Sequence, residues 1–511
     1  MNIEALEAEH GERVVAHLSE ALHMPAMTFE EMRAEQAAFD LVPYAEAARR
    51  GCVALKKDDG MVSIVLGDPF DLDTQDWLEE RLDVGFRYRL AHRQDIAAFL
   101  AQQEEKMRAL DGVKESMSAA AAANDGAQDL SFEKISETDS PVVRLVASTL
   151  YDAIKAGASD VHLESTGSGL TIKYRIDGVL VPAESVPGTE VAEQVISRIK
   201  VMSELDIAER RVPQDGRFKA KVAGGTARRD GREIDFRVSV MPSVFGEDAV
   251  LRILDRRALS DQLRGLTLDS LGFDEDIVER MRQLSAEPYG MLLVTGPTGS
   301  GKTTSLYGMI TEVNKGLDKI ITIEDPVEYQ LAGVLQIPVN EQKGLTFARG
   351  LRSILRHDPD RIMVGEIRDP ETAEIAVQSA LTGHLVYTTV HANNAFDVLG
   401  RFMHMGVDPY NLVSALNAVL AQRLVRVYCQ ACRSRGCAQC RGSGFKGRKA
   451  IGELLVLNDE LRELIIARAP ARKLKEVARA AGTTPLREAA MRLVDNGETS
   501  LEEINRVTFV A

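Results

Sequence analysis

Short apolar runs without a helical period recur in the second half of the chain. Met291–Val294, Ile320–Ile323, Ile362–Val364 and Leu385–Val390 are such runs, and each is followed by glycine or polar residues. Runs of this length are typical of strands that are buried on both faces of a parallel sheet. The pattern predicts an α/β core with its functional residues at the carboxyl ends of the strands.

A different pattern, in which apolar and polar positions alternate, marks the segment before this core. Leu170–Ile176 alternates in this way and ends at Asp177-Gly178, a typical hairpin turn. Ahead of it, Ser140 and Pro141 form a helix start, and apolar residues follow at helical spacing up to Ile154. We expect an antiparallel sheet with one open face and helices on the other.

The N-terminal segment predicts a small α/β domain. Cys52–Leu55 and Val62–Leu66 have strand-like composition, and Asp73–Leu82 has one apolar helical face. It carries no catalytic combination of side chains, so we interpret it as a docking module, with a ligand-binding site as the alternative. Ser116–Gly126 consists of small residues of the kind found in mobile linkers.

Composition narrows the protein class. The 511 residues suggest roughly three domains. Their net charge of −15 argues against general electrostatic binding of nucleic acid. No stretch approaches the ~20 apolar residues of a membrane span. Met1–Glu7 lacks the layout of a signal peptide, so we expect a cytoplasmic protein.

One segment predicts nucleotide binding directly. The run after Met291–Val294 fits G-x-x-x-x-G-K-[ST], and a helix is expected to follow. Lys302 is placed to reach the β- and γ-phosphates, and Thr303 to coordinate Mg²⁺. The residues expected to hold the nucleotide are Gly296, Pro297, Thr298, Gly299, Ser300, Gly301, Lys302, Thr303 and Thr304.

Carboxylates follow two other predicted strands. Glu324, Asp325 and Glu328 are all candidates to orient or polarise the attacking water, and the sequence does not choose among them. Ordinary phosphate-loop enzymes end the next strand with Asp, but here Gly365 occupies that place and Glu366 follows. We infer that Glu366 holds or orients the water shell of the metal.

Histidines and arginines supply further candidates. His384 and His391 flank the strand Leu385–Val390, and we expect them to sense the γ-phosphate or to contact another domain. Arginines near turns of the preceding segment, such as Arg217 and Arg237, are either solvated surface charges or arginine fingers for a neighbouring subunit.

Four of the five cysteines form a cluster. Cys429 and Cys432 make one C-x-x-C pair, and Cys437 and Cys440 make the next after four residues. Two such pairs supply a tetrahedral sulfur set that suits zinc in a reducing compartment. The spacer is short, so we expect a compact site.

These motifs, taken in order, resemble the secretion ATPase superfamily. Gly296–Thr304 is similar to its Walker A box, Thr322–Tyr329 to its Asp box, Met363–Asp369 to its Walker B box, and Thr382–His391 to its His box. The cysteine cluster narrows the resemblance to the type II secretion and type IV pilus assembly ATPases. The resemblance implies that Glu328 polarises water, that Glu366 is the Walker B residue, that His384 and His391 are the His-box residues, and that Arg217 and Arg237 reach a neighbour's nucleotide.

The resemblance also implies an architecture. It predicts a RecA-like phosphate-loop ATPase core with a PAS-like α+β second domain, a small N-terminal α/β domain and a zinc-binding insertion. The expected bounds are 1–105 for the docking domain, 106–138 for a flexible linker, 139–256 for the second domain, and 257–511 for the ATPase domain with a zinc subdomain at about 426–448 and C-terminal helices.

Function and partners follow from the same resemblance. It implies a Mg²⁺-dependent homo-hexamer that hydrolyses ATP to power type II secretion or type IV pilus assembly. We expect it at the cytoplasmic side of the inner membrane, acting on a platform protein and docked on a membrane or assembly protein through residues 1–105, without nucleic acid. No Arg-Leu-Gly-type repeat occurs near the N-terminus, so cyclic di-GMP is not predicted. An ATPase of DNA uptake or conjugation and a nucleotide-gated scaffold are the alternatives.

Overall fold

Two units make up the chain, Met1–Asp255 and Arg256–Ala511. A computed structural model describes residues 14–57, 60–82, 84–104, 128–129, 140–222, 232–255 and 266–508. The predicted linker lies almost wholly outside the described residues. Within those ranges, no helix combines the length and the apolar character that crossing a bilayer requires.

The first sheet of the N-terminal unit has four strands in the order β1-β2-β3-β4. They are β1 (Gln36–Ala37), β2 (Cys52–Lys56), β3 (Val62–Leu66) and β4 (Phe86–Leu90). The helices of this part are α1 (Val14–Leu22), α2 (Phe29–Ala34), α3 (Tyr44–Arg50), α4 (Leu72–Arg81) and α5 (Arg93–Glu104). Strands β2 and β3 are antiparallel and fully apolar at their centres, which confirms both predicted strands.

The second sheet of this unit has seven strands in the order β5-β9-β10-β11-β6-β7-β8. They are β5 (Gln128–Asp129), β6 (Asp160–Thr166), β7 (Gly169–Ile176), β8 (Val179–Pro187), β9 (Gln214–Val222), β10 (Arg232–Ser243) and β11 (Gly246–Leu254). All pairs are antiparallel except β5 with β9.

Two helices cover the apolar face of that sheet, α6 (Pro141–Lys155) and α7 (Thr189–Met202). Ser140 caps α6 with its side chain, as the sequence predicts. Along β9 and β10, buried residues such as Phe218 and Phe236 alternate with exposed ones. The predicted antiparallel sheet with helices on one face is confirmed.

The C-terminal unit is built on a sheet in the order β14-β13-β15-β16-β12-β17-β18. Its strands are β12 (Gly290–Thr295), β13 (Ile320–Glu324), β14 (Leu335–Pro338), β15 (Arg361–Val364), β16 (Leu385–Val390), β17 (Leu416–Tyr428) and β18 (Phe445–Val456). Every pair is parallel except the hairpin of β17 with β18. The four predicted buried strands are therefore confirmed.

Helices lie on both faces of this parallel sheet. They are α8 (Glu275–Ser285), α9 (Lys302–Val313), α10 (Phe347–Ile354), α11 (Pro370–Leu381), α12 (Ala395–His404), α13 (Pro409–Ala415), α14 (Asp459–Ile466), α15 (Ala471–Ala480), α16 (Leu486–Asp495) and α17 (Leu501–Val507). Along β12, Met291 and Leu293 enter one core, whereas Leu292 and Val294 enter the other. Because both faces of the strand are buried, its sequence is continuously apolar rather than alternating.

Candidate nucleotide site and cysteine cluster

Parallel pairing brings three of the predicted segments to one edge of the C-terminal sheet. In the register, Thr295 of β12 pairs with Val390 of β16, and Val364 of β15 pairs with Thr388 of β16. The phosphate loop, Glu366 and His391 therefore leave the sheet at the same edge. This is the place where open α/β sheets bind their ligands.

The phosphate loop turns tightly against the neighbouring strand β17. Gly296 has a φ of +152°, and a Cβ at this position would lie 2.5 Å from the carbonyl oxygen of Gln422 and 2.6 Å from Ser300 Oγ. Only glycine fits such an approach. Helix α9 then begins at Lys302, so the positive end of its dipole meets the loop.

Lys302 lies over the loop that precedes it. Its Nζ donates to the carbonyl oxygens of Gly296 at 3.0 Å and Pro297 at 3.1 Å. Burial lowers the pKa of Lys302, and the neighbouring Arg423 acts in the same direction, whereas the Glu366 carboxylate opposes both. Lys302 thus lies near a second cation, Arg423 of β17, and near one carboxylate, Glu366.

Glu366 is held between a cation and a histidine. Arg368 Nη2 donates to Glu366 Oε1 at 2.5 Å, and Glu366 Oε2 lies 3.5 Å from His391 Nε2. Oε2 is buried, and none of the described residues donates a hydrogen bond to it. Glu366 Oε2 is therefore a buried carboxylate oxygen that accepts no hydrogen bond from the described residues.

Threonines fix the turn that carries His391. Thr295 Oγ1 donates to the Val390 carbonyl at 2.7 Å and accepts from the Ala392 N–H at 2.9 Å. Thr389 Oγ1 donates to the Gly365 carbonyl at 2.7 Å. These bonds join the ends of three adjacent strands, so the loop, Glu366 and His391 have a defined mutual placement.

The protonation of His391 is set by its neighbours. Burial lowers the pKa of His391, and the positive charges of Lys302 and Arg368 lower it further, whereas Glu366 raises it. The net direction is downward from 6.5, so the imidazole is neutral at pH 7.

The structure does not bring His384 to the phosphate loop. His384 precedes β16, and its ring Nδ1 lies 3.0 Å from the Ser379 carbonyl oxygen. Since β16 is six residues long, its two ends are roughly 20 Å apart. His391 therefore lies at the edge of the sheet that carries the phosphate loop, and His384 lies at the opposite edge. Of the two expected roles, phosphate sensing fits the position of His391, and contact with another domain stays a prediction for His384.

The three candidate carboxylates after β13 have different environments. Glu324 is 2 % exposed and accepts hydrogen bonds from Tyr307, from Thr322 and from Gln336. Its oxygens are thus committed to structural partners, and it is a poor candidate to polarise water. Asp325 and Glu328 are exposed.

An aromatic contact places Glu328 beside α9. Its neighbour Tyr329 packs edge-on against Tyr307 of α9, with ring centroids 4.3 Å apart. Burial raises the pKa of both tyrosines, so they stay neutral and pack as apolar rings. The segment after β13 therefore folds back towards the helix that starts at the phosphate loop.

Arg217 and Arg237 belong to the N-terminal unit. They are direct partners across β9 and β10, and both side chains are exposed. The sheet thus brings the two arginines together on one face, where they form a single positively charged patch.

The cysteine cluster closes the hairpin of β17 and β18. All four Sγ atoms lie within 4.8 Å of one another, and the Sγ–Sγ distances are 3.9 Å for Cys429–Cys437, 3.6 Å for Cys432–Cys440 and 3.7 Å for Cys437–Cys440. A tetrahedral zinc with bonds of ~2.3 Å requires sulfur separations of about 3.8 Å. The donor set and its geometry therefore fit zinc.

Backbone contacts compensate for the short spacer between the cysteine pairs. A Cβ on Gly444 would lie 2.5 Å from the Ser434 carbonyl oxygen, so the two loops touch through their backbones. Burial acts to raise the pKa of Cys440, but N–H groups of Cys437 and Gly444 outweigh it and lower that pKa to about 6. A thiolate is favoured at this position.

Two residues at the site were missed by sequence reasoning. Gln422 Nε2 donates to the Ser300 carbonyl at 2.7 Å, and Gln422 Oε1 accepts from Ser305 Oγ at 2.8 Å. Arg423 follows it in the chain and is 8 % exposed. The available signal was their position directly after Ala418–Ala421, a short apolar run like those that precede the other segments of the site.

Comparisons with known proteins agree with this arrangement. A family model described as "Type II/IV secretion system protein" matches residues 136–506. The chain belongs to this secretion ATPase family. A second model, the MshEN domain, matches residues 22–110.

Relatives within the family cover most of the chain. The type II secretion system protein E of Pseudomonas aeruginosa is 45% identical over an alignment of 397 positions, which covers 73% of this chain and 76% of that protein. The type IV pilus assembly ATPase PilB of Myxococcus xanthus is 37% identical over an alignment of 521 positions, gaps included, which covers 95% of this chain and 89% of PilB. Members of the family hydrolyse ATP, and this chain is an ATPase.

A solved structure shows the same fold. The ATPase DotB of Yersinia pseudotuberculosis superimposes with a TM-score of 0.54 at 22% identity, covering 71% of this chain and 93% of DotB. The predicted mixed α/β multidomain fold of a secretion ATPase is thereby confirmed.

The charge environment of His391 generates a prediction. We expect its pKa to lie below 6.5, to fall further in Glu366→Gln, and to rise in Lys302→Ala, because the first change removes a favourable anion and the second an unfavourable cation. The measurement is an NMR pH titration of ¹³C-labelled histidines, with the resonance assigned by its loss in His391→Gln. A pKa above 6.5, or one that responds to neither substitution, would contradict this electrostatic description.

Proposed function

We propose that this ATPase powers type II protein secretion or type IV pilus assembly at the bacterial inner membrane, as a homo-hexamer. The observation that carries the proposal is the convergence of the phosphate loop, Glu366 and His391 at one sheet edge, in a chain related over most of its length to proteins of both systems. The names of those relatives give the two systems, and both stay candidates.

Each site residue has a proposed role. The backbone of Gly296–Thr304 cradles the phosphates of ATP, Lys302 neutralises the β- and γ-phosphates, and Thr303 supplies a hydroxyl ligand for Mg²⁺. Glu366 offers its unused buried oxygen to the water shell of that ion. Mg²⁺, when bound, neutralises charge on the phosphate oxygens.

The attacking water and the developing charge need separate groups. Glu328 is exposed, whereas Glu324 is bonded to structural partners, so we assign water polarisation to Glu328. Neutral His391 is placed to donate an N–H bond towards the γ-phosphate. Arg217 and Arg237 form an exposed pair suited to reach a neighbouring subunit's nucleotide as arginine fingers. His384 has no proposed contact with the nucleotide.

The remaining assignments follow from the family. We assign zinc to Cys429, Cys432, Cys437 and Cys440, where it would hold the end of the β17–β18 hairpin. We propose that residues 1–105 dock on a membrane or assembly protein, 106–138 form a linker, 139–256 a second domain, and 257–511 the ATPase domain. The partner of the ring is an inner-membrane platform protein, and no nucleic acid is expected.

ATP hydrolysis tests the assigned carboxylates. We expect Lys302→Ala, Glu366→Gln and Glu328→Gln each to lower kcat by about a hundredfold or more, because each removes a group that acts on the transferred phosphate or on water. Glu374→Gln, an exposed carboxylate on α11, is the matched control. Steady-state phosphate release with Mg²⁺ measures the rates. Full activity of Lys302→Ala would refute the assigned site, and negligible turnover of the wild-type protein would favour a nucleotide-gated scaffold.

Subunit mixing tests the ring and its arginines together. Arg237→Ala and Lys302→Ala should each be inactive alone, because one lacks the donated arginine and the other the phosphate-binding lysine. Co-assembled at equal amounts, about a quarter of the interfaces combine an intact site with an intact neighbour, so activity returns. Lys221→Ala, exposed on the same sheet, should behave as wild type. A mixture that stays inactive would refute donation between subunits.

Zinc content tests the cysteine cluster. We expect about one zinc per chain in the purified protein and its loss in Cys437→Ser, since three thiolates do not close a structural site. Cys52→Ala removes a buried cysteine from β2 and should keep the zinc. Elemental analysis after dialysis against a weak chelator measures the number of zinc ions per chain. A wild-type chain without zinc, or unchanged zinc in Cys437→Ser, would contradict the assignment.

A further inference from the structure

Arg423 is a buried cation that the roles above do not use. Its Nη1 donates to the Gln422 carbonyl at 2.9 Å, and its Nη2 donates to the Asn393 carbonyl at 2.7 Å. One guanidinium therefore joins the middle of β17 to the turn that follows His391. A planar fork with fixed donors is suited to such a bridge.

On one side, Arg423 supports the start of the phosphate loop. The position of a Cβ on Gly296 is 3.3 Å from Arg423 Nη1 and 2.5 Å from the Gln422 carbonyl oxygen. The side chain of Gln422 holds Ser300, further along the same loop. The dipeptide Gln422-Arg423 is thus the surface on which the loop rests.

On the other side, Arg423 completes the fixation of the His391 turn. Thr295 binds the turn on both sides of His391, through Val390 and Ala392. Asn394 caps α12 by accepting from the N–H groups of Phe396 and Asp397. Arg423 donates to the carbonyl of Asn393, which lies between the residues bound by Thr295 and the helix cap at Asn394.

Glu453 supplies the charge that balances Arg423. Burial lowers the pKa of Arg423, and Glu453 is the group that opposes this effect. Glu453 is 7 % exposed, and its carboxylate accepts from the N–H groups of Ala395 and Leu486, which begin α12 and α16. Two helix N-termini thereby hold a carboxylate where a buried arginine requires one.

We propose that Arg423 is a positioning residue for ATP hydrolysis. By bridging Gln422 and Asn393 it keeps His391, and with it Glu366, in register with the phosphate loop. This inference rests on the proposed roles of His391 and Glu366. It requires no contact between Arg423 and ATP.

Three variants of this pair separate positioning from folding. They are Arg423→Lys, which keeps the charge but lacks the fork, Arg423→Gln, and the double variant Arg423→Gln/Glu453→Gln. We expect kcat to fall by about a hundredfold in all three, while KM for ATP changes by less than about threefold, because the loop still binds phosphate. The thermal midpoint should fall in Arg423→Gln and recover in the double variant, which has no unpaired buried charge. Arg401→Gln, an exposed arginine on α12, is the control.

The pKa of His391 is a second measurement, and it does not depend on ATP turnover. In Arg423→Lys the His391 pKa should rise towards 6.5, because the imidazole moves away from the burial and from the Lys302 charge that lower it. An unchanged His391 pKa together with wild-type kcat would overturn the proposal.

The other outcomes also discriminate. Recovery of kcat together with stability in the double variant would make Arg423 a purely structural residue, and a raised KM at unchanged kcat would make it an ATP ligand. Either result overturns positioning. If the wild-type protein hydrolyses ATP and requires Lys302 and Glu366, the proposed function stands even when this inference fails.

Discussion

Parallel pairing of β12 with β16 on one side and β17 on the other is the constraint on which the site depends. Thr295 lies opposite Val390 and Ala421, so the phosphate loop and the His391 turn leave the sheet at the level where β17 carries Gln422 and Arg423. The side chains that act on nucleotide come from segments far apart in the chain, yet none needs a long loop to reach its place. A site built on strand ends has little conformational freedom to lose when its ligand binds.

The sequence predicts the local motifs of the site better than it predicts where side chains from distant segments lie. The phosphate loop, Glu366 and the cysteine cluster can be recognised from the spacing of a few neighbouring residues. In the structure, each has the local geometry that its spacing predicts. Strand-end position alone left Glu324, Asp325 and Glu328 open, and only the family resemblance selected Glu328. The hydrogen bonds of Tyr307 and Gln336 to Glu324 come from other elements, so the sequence pattern could not show them. The sequence assigned the same alternatives to His384 and His391, because flanking a strand does not show which end of that strand faces the ligand. Arg423 was missed because β17 was not recognised as a strand of the core.

Buried charges in this protein serve to join segments. Glu453 joins two helices to the site, and Glu503, which is 2 % exposed, binds Arg426 of β17 and Arg506. In the N-terminal unit, Lys200 pairs with Glu247 at 2.5 Å and donates to the Glu209 carbonyl. Such pairs contribute little net stability against apolar packing, but removing one partner is costly. Their value here is that they define where chain segments meet.

The strand β17 begins beside β12 in the core and ends at Cys429 of the thiol cluster. Gln422 must face the phosphate loop, and Cys429 must face the other three sulfurs, so both ends of one stretch of backbone have a required orientation. Because successive side chains of a strand point to opposite faces, adding or deleting one residue between these positions would turn one end the wrong way. Variation in length is therefore to be sought in the turn between the two cysteine pairs, and the interval from Gln422 to Cys429 is expected to keep its length across natural and engineered variants.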